Sequence, residues 1–152
     1  MNILITGSNG FVGSNLMWEL EKDGHTVCGI DISEHCDGEK HPETLIGDIR
    51  NLQDLNRISS IFGQKHNSQL ELIIHCAAAK NDFGISRREY YSHNKYGTKT
   101  LLNFATEKGI KKLIYFSSVG VFGYPEGQAN EDAPYHPDSD YGASKLAGEL
   151  LC

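Results

Sequence analysis

The sequence predicts a three-layer α/β fold in which helices cover both faces of a doubly wound parallel sheet. Short apolar runs alternate with longer amphipathic segments along the whole chain, which is the rhythm of repeated β-α-β units. The short runs are continuously apolar, as expected for strands that are buried on both faces. A glycine-rich turn joins the first apolar run to the first amphipathic segment, and this order is typical of folds that bind nucleotides.

Each element follows from its local pattern. Ile3–Thr6 is an apolar run that stops at the glycine turn, and Phe11–Lys22 then carries apolar residues at helical spacing. The same two patterns alternate further along, predicting a strand at Thr26–Ile30, a strand at Thr44–Asp48, a helix at Asn51–Phe62, a strand at Glu71–Cys76, a helix from about Glu89 to Lys108 and a strand at Lys112–Ser117. Residues 118–140 are rich in proline, glycine and acids, so we expect an irregular loop before a last helix that carries Tyr141 and Lys145.

Composition limits the partners of the chain. With 152 residues and 39% hydrophobic content, residues 1–152 fit one domain with one core. The net charge of −6 and the pI of about 5.6 disfavour nucleic acids and anionic membranes, because both attract basic surfaces.

Several absences indicate a cytoplasmic protein without a metal. The N-terminus enters the glycine turn without a basic stretch, and no apolar run approaches the length of a membrane span. The four cysteines form no CxxC pair, so we expect reduced, mostly buried thiols. His35, Cys36 and His41 lack a further paired ligand and are expected to be ordinary surface residues.

The glycine turn, Gly7–Gly13, has the context of a dinucleotide-binding site. It follows a strand and opens a helix, so the amides of Phe11 and Val12 are expected to face a pyrophosphate. Gly7, Gly10 and Gly13 would serve the turn, the approach of the ligand to the backbone, and the packing of helix on strand. Asp31 ends the next strand, where its carboxylate can accept hydrogen bonds from the adenine ribose and would repel a 2′-phosphate. The sequence therefore predicts a Rossmann-type domain that prefers NAD to NADP.

Tyr141 and Lys145 form a candidate proton-transfer pair. Four residues apart on a helix, they share one face, so the ammonium can stand near the phenol and favour its ionised form. A tyrosine so placed can act as a base.

Six motifs in order resemble the extended short-chain dehydrogenase/reductase family, the NAD-dependent epimerases and dehydratases that act largely on nucleotide sugars. The motifs are TGSNGFVG at residues 6–13, GDIR at 47–50, HCAAA at 75–79, HNKYGT at 93–98, SS at 117–118 and YGASK at 141–145. The resemblance implies that Tyr141 is the base, that Lys145 tunes it and holds the nicotinamide ribose, and that Ser118 hydrogen-bonds the reacting oxygen. It further implies cofactor contacts by Asp48, Ile49, Ala77, Ala78, Ala79, Lys80 and Asn94.

Departures from the family pattern narrow the reaction. Val119 and Gly120 stand where related sugar dehydratases carry an acidic pair, which disfavours dehydration, and Phe122 replaces a tyrosine near the substrate. We therefore expect NAD-dependent epimerase/dehydratase-type chemistry on a nucleotide sugar. Two alternatives stay open, an NAD(P)-dependent reductase of a non-sugar carbonyl and a non-catalytic dinucleotide-binding fragment.

The last helix has no stop signal and no strand after it. We expect a fold truncated after the catalytic helix, without the C-terminal domain that grips the substrate. For the intact enzyme we expect a homodimer.

Overall fold

The computed structural model describes residues 1–80, 84–125, 127 and 130–152. The strands in this part of the chain are β1 (Asn2–Thr6), β2 (Thr26–Asp31), β3 (Thr44–Ile46), β4 (Leu72–His75) and β5 (Lys112–Tyr115). The α-helices are α1 (Phe11–Lys22), α2 (Leu52–His66), α3 (Arg87–Tyr90), α4 (Thr98–Lys108) and α5 (Asp140–Glu149). A π-helical segment, Tyr91–Gly97, joins α3 to α4, and a 3-10 turn lies at Val119–Val121.

The strands pair in parallel to form one sheet in the order β3-β2-β1-β4-β5. Side chains of the central strand point alternately to two cores. Ile3 and Ile5 pack with Met17 of α1, whereas Leu4 packs on the opposite face against α2 and α4. The predicted doubly wound, three-layer architecture is therefore confirmed. The strand order reverses between β1 and β4, and ligands of such sheets bind at this switch point.

The predicted ends of two strands and of the second helix were wrong by two to four residues, and the fifth strand ends at Tyr115 instead of Ser117. The third strand ends at Ile46 instead of Asp48, because the backbone N–H of Asp48 donates to Asp54 Oδ2, at 3.0 Å, in the turn that follows. The second helix continues past Phe62 to His66 and ends where Asn67 adopts a left-handed conformation, with φ of 48°.

The long helix predicted from about Glu89 to Lys108 consists of three helical parts. It begins at Arg87, because Ser86 and Glu89 form a capping box that satisfies the first amides. The π-helical segment in its middle was not predicted. Helix α5 approaches this segment closely, since a Cβ on Gly148 would lie 2.5 Å from the carbonyl oxygen of Asn94. Such segments are frequent at functional sites.

All four cysteines are free, but only Cys28 is buried; Cys36 and Cys76 are partly exposed and Cys152 is exposed. The expectation of mostly buried thiols was therefore wrong. Within the described ranges, no helix has both the length and the apolar character needed to cross a membrane.

Candidate functional site

A cavity of about 540 Å³ opens at the carboxyl ends of the strands, next to the switch point. Its volume lies within the range of ordinary ligand pockets. Most of the predicted site residues line it, namely Gly7, Gly10, Phe11, Val12, Gly13, Asp31, Asp48, Ile49, Ala77, Ala78, Ala79, Lys80, Tyr141 and Lys145. Asn94 and Ser118 do not. The fold thus brings the two ends of the chain into one cavity, as the motifs predicted.

Two positions of the glycine turn have no room for a side chain. Gly7 has φ of +70°, and a Cβ there would lie 2.7 Å from the backbone nitrogen of Ala77. A Cβ on Gly13 would lie 2.1 Å from the carbonyl oxygen of Gly7. At Gly10, by contrast, a Cβ would meet only that same oxygen, at 3.3 Å. Since Gly10 lines the cavity, its missing side chain leaves room for a ligand against the backbone.

The start of α1 presents amides to this cavity. The N–H groups of Val12 and Gly13 donate to no protein group within the described residues, as expected in the first turn of a helix. These amides and the helix dipole favour an anion. The glycine turn therefore has the space and the donors that a pyrophosphate requires.

Asp31 both organises the glycine turn and borders the cavity. Its Oδ2 accepts from the backbone N–H of Asn9 and its Oδ1 from that of Ser33, each at 2.9 Å. Asn9 Nδ2 in turn donates to the carbonyl oxygen of Ser33 at 2.5 Å. The carboxylate is therefore fixed at the end of β2 before a ligand arrives.

Asp48 is held by its neighbour Arg50. The guanidinium donates to both carboxylate oxygens, and the shortest distance is 2.6 Å, from Nη2 to Oδ2. Burial alone would raise the pKa of Asp48, but hydrogen bonds and charge from Arg50 outweigh it and hold that pKa below its ordinary value. Arg50 also donates to Ser92 Oγ at 3.1 Å, which ties the turn after β3 to the π-helical segment.

Asn94 lies outside the cavity wall and fixes two of its parts. Its Oδ1 accepts from Ala79 N at 2.8 Å, while its Nδ2 donates to Ala79 O at 3.1 Å and to Ser144 Oγ at 2.9 Å. The side chain is buried, and these bonds occupy its amide. Asn94 thus joins the segment after β4 to α5, and we expect it to position the site.

Helix α5 carries Lys145 into a buried position. Ser139 caps the helix by accepting from Gly142 N at 3.1 Å. Lys145 is only 2% exposed, its Nζ donates to Phe116 O at 2.5 Å, and it lies 4.2 Å from the centre of the Tyr115 ring. Tyr141, one turn earlier, packs edge-on against Tyr90 with ring centres 6.0 Å apart. Both members of the predicted pair line the cavity, and no hydrogen bond joins them in the part of the chain that the structure describes.

The two serines after β5 face different partners. Ser118 Oγ accepts from Gly120 N at 3.1 Å and caps the 3-10 turn. Ser117 lines the cavity, and its hydroxyl donates to Glu149 of α5. The role of Ser118 stays a prediction.

A buried hydrogen-bond chain beneath the cavity fixes the tautomer of His75. Thr98 Oγ1 donates to Asn94 O at 2.6 Å, so its oxygen accepts from His75 Nε2 at 3.0 Å. Nδ1 is then unprotonated and accepts from Thr6 Oγ1 at 2.7 Å. Burial, with a smaller effect of the Lys145 charge, lowers the pKa of His75 to about 3. Both ring nitrogens of His75 therefore have hydrogen-bond partners, and the ring is neutral.

Sequence reasoning missed the loop that follows β2. Ser33, His35 and Asp37 line the cavity, and Trp18 of α1 fastens the loop by donating from Nε1 to Glu39 O at 3.0 Å. His41 is fully buried against Trp18, so its reading as a surface residue was wrong. The local sequence pattern does not predict this loop structure, because the loop is held by residues that are distant in the sequence, including Asn9 and Trp18.

The burial of Lys145 predicts a dependence of stability on pH. Desolvation lowers its pKa from 10.5 to about 8. Between these values the unfolded chain binds more protons, so the stability contributed at this site rises with pH. From about pH 7 to about pH 9, the free energy of unfolding should rise by about 1 kcal/mol more in the parent than in Lys145→Met. Denaturant titrations at both pH values measure this difference, and equal changes in the two proteins would contradict it.

Comparison with known proteins identifies close structural relatives. The sequence model of the NAD dependent epimerase/dehydratase family matches residues 3–152. A Bacillus subtilis (strain 168) protein described as an uncharacterized UDP-glucose epimerase, YtcB, is 32% identical over 163 residues, covering 100% of this chain and 51% of the relative.

Two solved structures extend this comparison. A short-chain dehydrogenase/reductase superfamily protein from Agrobacterium tumefaciens with bound NAD matches with a TM-score of 0.83 at 30% identity, over 99% of this chain and 44% of that protein. The Bordetella bronchiseptica enzyme WbmG, solved with NAD and UDP, matches with a TM-score of 0.81 at 28% identity, over 98% and 48%. The chain spans about half the length of the curated relatives it matches.

Proposed function

Because the chain belongs to the NAD-dependent epimerase/dehydratase family, as the resemblance predicted, we propose that it binds NAD for epimerase/dehydratase-type chemistry on a nucleotide sugar. The observation that carries this proposal is the single cavity that joins the glycine turn to Tyr141 and Lys145. A dinucleotide must reach from an anion-binding turn to a proton-transfer group, and this cavity has both at its wall.

The residues present fit NAD. The open space at Gly10 and the free amides of Val12 and Gly13 suit the pyrophosphate. Asp31 would accept from the adenine-ribose hydroxyls, and its charge disfavours a 2′-phosphate. Asp48 and Ile49 would border the adenine, and Lys145 would hold the nicotinamide ribose.

The chemistry divides between cofactor and protein. When bound, NAD supplies an acceptor that can take a hydride and return it. Tyr141 would take the proton of the sugar hydroxyl, and Ser118 would donate a hydrogen bond to its oxygen. The Lys145 ammonium, placed one helical turn from Tyr141, would favour the phenolate.

The relatives support a sugar substrate and an epimerisation. YtcB is described as a UDP-glucose epimerase, and WbmG was solved with UDP. Val119 and Gly120 offer no acid or base for the elimination of water. A reversible hydride transfer without elimination is therefore the favoured reaction.

Calorimetric titration with NAD and NADP tests the cofactor part. We expect the parent to bind NAD more tightly than NADP, and Asp31→Ala to weaken NAD binding by about tenfold or more, because hydrogen bonds to a carboxylate are lost. Asp23→Ala, which removes an exposed carboxylate at the other end of α1, is the matched control.

Since Asp31 also holds the glycine turn, ADP and 2′-deoxy-ADP separate its two roles. The parent should prefer ADP, and this preference should vanish in Asp31→Ala. An unchanged preference would show that Asp31 acts only on the turn, and failure of the parent to bind NAD would overturn the proposed function.

A further inference from the structure

Asp37 places a carboxylate at the amide that begins α1. Its Oδ2 accepts from the backbone N–H of Phe11 at 3.2 Å, and its own N–H donates to Asn9 O at 2.8 Å. The nearby His35 lies with Nε2 3.8 Å from Asp37 Oδ1. Asp37 is exposed to solvent and lines the cavity. The contact therefore sits on the ligand side of the helix start.

A carboxylate in this position resembles a phosphate oxygen. Both are anions that accept from a helix-start amide, and both gain from the helix dipole. The neighbouring Asn9 also lines the cavity, and its buried Oδ1 has no hydrogen-bond partner within the described residues. The turn thus holds one internal anion at Phe11 and keeps unused polar groups beside it.

We propose that Asp37 is an internal competitor of the dinucleotide pyrophosphate, occupying the Phe11 amide in the free chain and leaving it when a nucleotide binds. The inference rests on the proposed function, since it assigns the pyrophosphate to the start of α1. Asp37 then sets the affinity of the site by two effects. Its hydrogen bond must be broken on binding, and its charge repels the phosphates that replace it.

The proposal predicts that the effect of residue 37 on affinity depends on the phosphate charge of the ligand. A nucleoside diphosphate must break the hydrogen bond of Asp37 and is repelled by its charge. Adenosine has no phosphate and can bind without displacing Asp37. Removing the charge at residue 37 should therefore strengthen the binding of ADP and leave adenosine unaffected.

The test compares Asp37→Asn with Glu34→Gln by calorimetric titration with ADP and adenosine. Glu34 is an exposed acid of the same loop and does not line the cavity. Glu34→Gln changes the net charge by the same amount as Asp37→Asn. We expect Asp37→Asn to bind ADP about three- to tenfold more tightly than the parent, as a helix-start charge effect implies. Glu34→Gln should bind both ligands as the parent does.

Hydrogen exchange of the Phe11 amide gives a readout without any ligand. This amide should exchange faster in Asp37→Ala than in the parent, because its acceptor is gone, and the exchange of Val12 should not change. If Asp37→Asn binds ADP no more tightly than Glu34→Gln, or if Phe11 exchange is unchanged, the inference fails. If the parent binds NAD but substitution of Asp37 does not change the affinity for ADP, only this inference is overturned. If neither the parent nor any variant binds a nucleotide, the proposed function is overturned as well.

Discussion

Alanine at position 13 is expected to abolish dinucleotide binding and to destabilise the chain by about 3 kcal/mol or more. The added Cβ would lie 2.1 Å from Gly7 O, 2.8 Å from Gly7 C and 2.9 Å from Ser8 Cα. These are backbone atoms, so the rotation of a side chain cannot relieve the clash. Helix α1 cannot withdraw either, because Met17, one turn further along, is fully buried in the core beneath it.

Gly10→Ala is the matched control for this clash. Its methyl group would meet a single protein atom within 4 Å, the Gly7 oxygen at 3.3 Å, and would occupy the cavity. We expect it to keep most of the stability while weakening NAD binding. Urea titration measures the first effect and calorimetry the second. Gly13→Ala with parental stability would show that the turn can relax, contrary to the close packing described above.

The fold could be predicted because its signals are local. Continuous apolar runs such as Leu72–His75 show which strands are buried on both faces, and the glycine turn shows where the chain must come close to itself. The order of the strands, β3-β2-β1-β4-β5, was not predicted, because repeated β-α-β units with right-handed connections are compatible with more than one order. Most of the cavity wall then follows, because the carboxyl ends of parallel strands share one edge.

The remaining features depend on contacts between distant parts of the chain. Asn94 is hydrogen-bonded to Ser144, and Phe11 to Asp37, and no local sequence pattern predicts these bonds. The π-helical segment likewise fits the close approach of Gly148, which belongs to another helix. Sequence reasoning therefore found most of the cavity wall and, through the family resemblance, Asn94, but it missed Asp37 and the hydrogen bonds by which distant residues position the site.

Tyr141→Phe is expected to reduce turnover by about 10²- to 10⁴-fold, because general acid–base catalysis contributes that much. The substitution removes only the hydroxyl. The ring can keep its edge-on contact with Tyr90, and Lys145 can keep its bond to Phe116 O. We therefore expect the affinity for NAD and the stability to stay close to those of the parent, so that the loss reports on proton transfer.

The measurement is the rate at which the NAD-loaded chain converts UDP-glucose to its epimer. Tyr124→Phe is the control, since Tyr124 is 92% exposed and does not line the cavity. A Tyr141→Phe variant that retains parental turnover would exclude Tyr141 as the base. If the parent binds NAD but forms no epimer, the catalytic part of the proposal is wrong and the chain by itself is a dinucleotide-binding module. Removal of the Tyr141 hydroxyl is therefore the substitution that tests catalysis separately from cofactor binding.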